Sequence, residues 1–122
     1  MYSEKITSEI NRLKFEDFLW VVFAILCLIN VYGDYNDKEY LKTHNNTFRK
    51  NSNKIFEFTL IVTFLIYIYF FIRNYKAYVK ATEEEKRLYV IKVLGTAFLI
   101  AGVLCLLYFQ DSQSSFIGSP AI

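Results

Sequence analysis

Residues 60 to 72 (LIVTFLIYIYFFI) carry apolar side chains around every face of a helix, broken only by Thr63, Tyr67 and Tyr69. A helix of a water-soluble protein keeps a polar stripe toward solvent, and this one has none. A chain of 122 residues is too short to wrap such a segment in polar protein. Lipid, or another membrane helix, is the environment that suits it.

The segment belongs to the second of three apolar runs, Phe18 to Tyr32, Ile55 to Ile72 and Leu88 to Phe109. As helices rising about 1.5 Å per residue they reach roughly 22, 27 and 33 Å, against about 30 Å of bilayer hydrocarbon. The first is short, and needs flanking residues or local thinning to complete a crossing. Its strongly apolar residues between Leu19 and Val31 still favour insertion by roughly 3 to 5 kcal/mol, which outweighs Asn30 near one end. Hydrophobic residues make up 54% of the chain and aromatics 19%, above the usage of soluble domains. The expectation is an all-α integral membrane protein of one domain, with three transmembrane helices and a short N-terminal amphipathic surface helix.

The expected boundaries are a cytoplasmic amphipathic segment over 1–17, crossings over 18–33, 55–73 and 88–109, an external loop over 34–54, a charged cytoplasmic hairpin over 74–87, and an external tail over 110–122. Ile6, Ile10 and Leu13 repeat at i, i+4 and i+7 among charges, which predicts a helix lying on the membrane surface before the chain turns in. Asn45-Asn46-Thr47 reads as a turn. Thr82 followed by Glu83, Glu84 and Glu85 is a capping box that starts the third helix near Glu83. The Ser-rich tail, ending FIGSPAI, reads as a frayed terminus. A cleaved signal peptide is the rival reading of the first run. Glu16 and Asp17 stand directly against it, where such leaders carry positive charge, so the run is expected to stay.

Orientation follows from the basic residues. Lys5, Arg12, Lys14, Arg73, Lys76, Lys80, Lys86, Arg87 and Lys92 fall on the N-terminal side; Lys38, Lys42, Arg49, Lys50 and Lys54 fall on the other. The excess places the N-terminus in the cytoplasm and the C-terminus outside a cell membrane. Trp20, Tyr32, Tyr35, Tyr75, Tyr78, Tyr89 and Tyr108 lie near the ends of the runs, where amphipathic rings sit at headgroup level. The abundant Phe, Tyr, Ile, Asn and Lys use AT-rich codons and suggest a low-GC, bacterial genome.

Candidate functional residues are few. Glu57 is the acid inside an apolar run, and Asn30 lies at similar depth, so the two form a candidate ion or polar site. Lys92 reads as an anchor that extends its ammonium to the headgroups. Gly95, Ala97, Ala101, Gly102 and Cys105 form small-residue stripes on the third helix, a surface on which another helix packs closely. Cys27 and Cys105 fall in the same half of the bilayer on helices of the same direction and read as small hydrophobes. His44 stands alone in a polar loop. No phosphate loop, nucleophile elbow or metal-ligand spacing occurs, so no catalytic, cofactor or metal site is expected. A net charge of +2 gives no reason to expect nucleic acid.

The favoured function is therefore non-enzymatic: an accessory, scaffold or regulatory subunit that packs on a membrane-protein partner or on further copies of itself. The alternatives are a pore or permeability protein, holin-like or a small transporter, and an immunity protein against a membrane-active peptide. Holins have a similar length and three crossings, although this tail lacks their basic residues. Bacterial diacylglycerol kinase is similar in outline, but its dense run of Glu, Asn and Asp around the second crossing has no counterpart beside Glu57.

Overall fold

A computed structural model describes residues 3–113 and 115–120, and the described chain is all-helical. Three helices follow one another: α1 over Glu4–Thr43, α2 over Asn46–Lys80 and α3 over Glu83–Ser112. Each is long and apolar enough to cross a membrane.

α1 is longer than the sequence suggests. The amphipathic segment, the first apolar run and much of the expected external loop form one helix of 40 residues, about 60 Å long. The predicted turn between a surface helix and the first crossing is not there. Nothing between Phe15 and Phe18 breaks a helix, and Glu16 is fixed by partners one turn below and on α2. Ile6 and Leu13 remain exposed, at 47% and 50%. Ser3 caps the start, its Oγ accepting from the Ile6 N–H at 3.3 Å.

The loop expected over 34–54 shrinks to His44 and Asn45. His44 takes the left-handed conformation (φ 55°), and its N–H donates to the Tyr40 carbonyl, which ends α1. Asn45 then starts α2 by accepting the Thr47 N–H at 2.9 Å. At the other end, α2 stops at Lys80 and α3 starts after Thr82. Thr82 occupies the cap position without a side-chain hydrogen bond; its carbonyl accepts from the N–H groups of Glu85 and Lys86.

The helices lie side by side in one antiparallel layer. α2 sits in the middle and touches both neighbours, while the backbones of α1 and α3 do not approach each other among the described residues. The described surface is 8824 Å², against about 6,800 Å² for a compact soluble protein of this mass. Phe18, Leu28, Val31, Leu88, Ile91 and Phe98 are each more than 60% exposed.

Packing follows a seven-residue repeat. On α1 the buried and half-buried positions include Glu16, Leu19, Phe23, Leu26, Asn30, Gly33 and Asp37. On α2 they include Ser52, Phe56, Thr59, Thr63, Ile66, Phe70 and Asn74, and on α3 Tyr89, Val93, Thr96, Ile100, Val103, Leu107 and Gln110. Alternating steps of three and four residues are the seam of a left-handed coiled coil. The apolar centre is Leu26, Ile66 and Phe70, with Val22, Phe23, Val62 and Tyr67 against it.

Candidate functional site

The same seams turn polar at both ends, and each end carries an ion pair on a buried carboxylate. Glu16 and Asp37 mark the two levels. They stand about 31 Å apart along α1, close to the thickness of bilayer hydrocarbon.

At the first level Glu16 is 4% exposed. Its Oε2 accepts from Arg12 Nη1 at 2.9 Å and from the Tyr69 hydroxyl at 3.1 Å, and its Oε1 accepts from Arg73 Nη1 at 2.9 Å. Burial alone raises the Glu16 carboxyl pKa. The Arg12 hydrogen bond, the Arg73 charge and the Tyr69 hydroxyl outweigh it, and the net shift is downward. Arg73 also donates from Nε and Nη2 to Asn74 Oδ1, at 3.1 and 2.8 Å, and lies 4.8 Å from the Phe70 ring centroid. Asn74 in turn donates to Thr96 Oγ1 at 2.6 Å. One chain of hydrogen bonds therefore runs from α1 through α2 to α3.

At the second level Asp37 is 1% exposed and Arg49 8%. Arg49 Nη1 donates to Asp37 Oδ1 at 3.0 Å, and the fully buried Ser52 hydroxyl donates to the same oxygen. The remaining acceptor, Asp37 Oδ2, takes the Gly118 N–H at 2.8 Å. Arg49 Nη2 donates to the Phe116 carbonyl and to Gln113 Oε1, and Gln113 Oε1 also accepts the Phe116 N–H at 2.7 Å. The tail expected to fray is thus docked, with Pro120 buried and the Phe116 ring edge-on to Phe109. Of the expected tail, Ser114, Ala121 and Ile122 lie outside the described residues.

Between these levels the polar groups are sparse. Thr59 donates to Asn30 Oδ1 at 2.8 Å, and Thr63 to the Thr59 carbonyl at 2.7 Å. Asn30 therefore pairs with Thr59 and not with Glu57. Glu57 is exposed and has no hydrogen-bond or ion-pair partner among the described residues, because it lies outside the α2 seam. Lys92 is likewise exposed. Cys27 and Cys105 are free and exposed on α1 and α3, whose backbones do not approach each other among the described residues.

The small residues of α3 point away from α2. Gly95, Ala101, Gly102 and Cys105 are exposed and Ala97 is half-buried, and a Cβ added at Gly95 or Gly102 meets nothing within 4 Å. His44 is an exposed turn residue, its ring 6.2 Å from that of Tyr40. No cluster of potential metal ligands occurs among the described residues.

Sequence reasoning missed Glu16, Asp37, Arg49, Arg73 and Asn74. Their signal was present: Glu16, Asn30 and Asp37 fall on one seven-residue repeat with Leu19, Phe23 and Leu26. No protein-family model matches the chain, and no curated protein or solved structure is significantly similar to it.

Proposed function

We propose that this chain is a small multi-pass membrane protein of non-enzymatic role, an accessory, scaffold or regulatory subunit that acts by packing helices within the bilayer. The supporting observation is the open layer. α2 is covered on both sides, whereas the outward face of α3 presents Gly95, Ala101, Gly102 and Cys105 with nothing against them. In lipid, where apolar side chains gain little from meeting one another, close backbone approach at small residues drives helix association.

The chain crosses a cell membrane three times with its N-terminus in the cytoplasm. The excess of basic residues near Arg12, Arg73 and Arg87 supports this orientation. The spacing of the two polar levels, which gives the apolar middle of the layer about the thickness of bilayer hydrocarbon, supports the crossing itself.

The test is association in mild detergent and in membranes, comparing the wild type with Ala101→Leu. A bulky side chain on the open face is expected to abolish a co-purifying membrane partner or homo-oligomer while helix content and thermal stability hold. A wild-type chain that is monomeric and partner-free, or an unaffected variant, overturns the reading. With Cys27 and Cys105 replaced by alanine, Asn45→Cys is expected to react with an impermeant thiol reagent from outside only, and Thr82→Cys from inside only. The reverse pattern inverts the orientation.

A further inference from the structure

α1 and α3 have no direct backbone contact, yet one segment reaches from α3 to α1. After α3 ends at Ser112, the chain folds back so that the Gly118 N–H meets Asp37 Oδ2 on α1 and the Phe116 carbonyl meets Arg49 on α2. Gly118 adopts φ 104°, a conformation that side-chain-bearing residues rarely take. At the opposite end of the layer, the hydrogen bonds among the described residues join α1 to α3 by way of α2, through Arg73 and Asn74.

The attachment is mostly polar, with Pro120 the one buried residue among the described positions after α3. Phe116 and Ile117 remain 45% and 37% exposed. Asp37 Oδ1 is held by Arg49 and Ser52 from within the α1–α2 hairpin, and only Oδ2 is committed to the tail. When the tail leaves, Asp37, Arg49 and Ser52 stay joined through Asp37 Oδ1, while Arg49 Nη2 gives up the Phe116 carbonyl. Segments tied by a few partly exposed hydrogen bonds open at low cost compared with a packed core.

We propose that the segment following α3, through Phe116 and Gly118, is a releasable strap that sets the α1–α3 spacing at the Asp37 end of the layer. Docked, it bridges the two outer helices across the end of α2. Released, it leaves the α1–α2 hairpin intact and frees α3 to swing about α2, to which α3 stays tied by Gln110 Nε2 on Asn53 at 3.4 Å near the strap and by Asn74 on Thr96 at 2.6 Å at the other end.

The native cysteines are well placed to report this. Cys27 and Cys105 are exposed, one on each outer helix, and each lies roughly 15 Å along its helix from the Glu16–Thr96 level. Nitroxide labels on both, read by pulsed electron resonance in the full-length protein, give the α1–α3 distance distribution. Gly118→Pro removes the donated N–H and cannot adopt the observed φ; Gly118→Ala keeps the N–H but strains it. The expected result is a broadened distribution with a longer component for Gly118→Pro, and a smaller change in the same direction for Gly118→Ala, at unchanged helix content. An unchanged distribution in both variants overturns the strap. Loss of helix content in Gly118→Pro overturns it as well, because the tail is then part of the fold's core and not a releasable element.

Discussion

Gly33 on α1 and Phe56 on α2 approach so closely that a Cβ added at Gly33 falls 2.5 Å from Cε1 and 2.9 Å from Cζ of the Phe56 ring. Phe56 is 1% exposed, so its ring has nowhere to retreat. Glycine in mid-helix is ordinarily a weakness, about 1 kcal/mol worse than alanine, and here close packing requires it. Gly33→Ala is expected to lower stability by about 1 kcal/mol, the overpacking cost of about 1–3 kcal/mol exceeding the gain in helix propensity. Gly102→Ala, with open space around it, carries no such penalty and is expected to hold or raise stability. Denaturant titration in detergent, followed by circular dichroism, separates the two; equal effects refute the close-approach argument.

The Asp37–Arg49 pair makes a second prediction. Asp37→Ala leaves the Arg49 guanidinium, 8% exposed, without its carboxylate, and also deprives Ser52 and Gly118 of an acceptor. Breaking one partner of a buried pair costs about 3–5 kcal/mol, whereas replacing both with apolar residues of similar volume is often nearly neutral. The double variant Asp37→Leu/Arg49→Met is therefore expected to be more stable than Asp37→Ala alone. A double variant that falls as far as the single shows that the pair supports the fold through more than charge compensation.

The three helices were legible in the sequence because all-round apolarity from Leu60 to Ile72 admits few other environments. The turns were legible too: Asn45 caps α2 with its side chain, and Thr82 stands at the start of α3 although its side chain makes no capping hydrogen bond. The interior was not. When both lipid and core are apolar, hydrophobicity does not distinguish the seam at Leu26 from the open face at Leu28, which are 4% and 70% exposed. On α1 the seam is marked by Glu16, Asn30 and Asp37, whose polar groups find their partners there. Charge was misleading in the other direction. Asp37 and Arg49 lie in a polar stretch that reads as loop, yet they stand on two helices and are buried against each other while most of the residues between them are exposed. The tail's docking was hidden for a related reason: it uses the backbone N–H of Gly118 and the carbonyl of Phe116, which every sequence possesses.

Glu57 illustrates how depth alone misdirects. It is the acid inside an apolar run, yet it faces outward and lacks a partner among the described residues. A site that holds an ion against lipid surrounds it with ligands, and Asn30 is already engaged by Thr59. Glu57→Gln is expected to change stability by less than about 0.5 kcal/mol, as for a surface substitution, and to leave ion permeability of reconstituted vesicles unchanged. A loss of several kcal/mol, or an altered flux, restores Glu57 as a functional group.

Glu16 gives the fold an acid limit whose sign is fixed by its partners. Its carboxyl is held below its ordinary value of 4.5, with burial opposing the shift and Arg12, Arg73 and Tyr69 producing it. A group whose pKa is depressed by folding releases its proton more readily in the folded state, so the unfolded chain binds more protons as the pH falls. The stabilisation is fully present above the ordinary value and is lost as the pH drops through the folded one. Glu16→Gln removes the charge at every pH. The difference in thermal unfolding midpoint between wild type and Glu16→Gln is therefore expected to be constant from pH 7 down to about 5 and to close at more acidic values. A gap that stays open in acid means that Glu16 acts by shape and hydrogen bonding, with its charge of no consequence for the tie between α1 and α2.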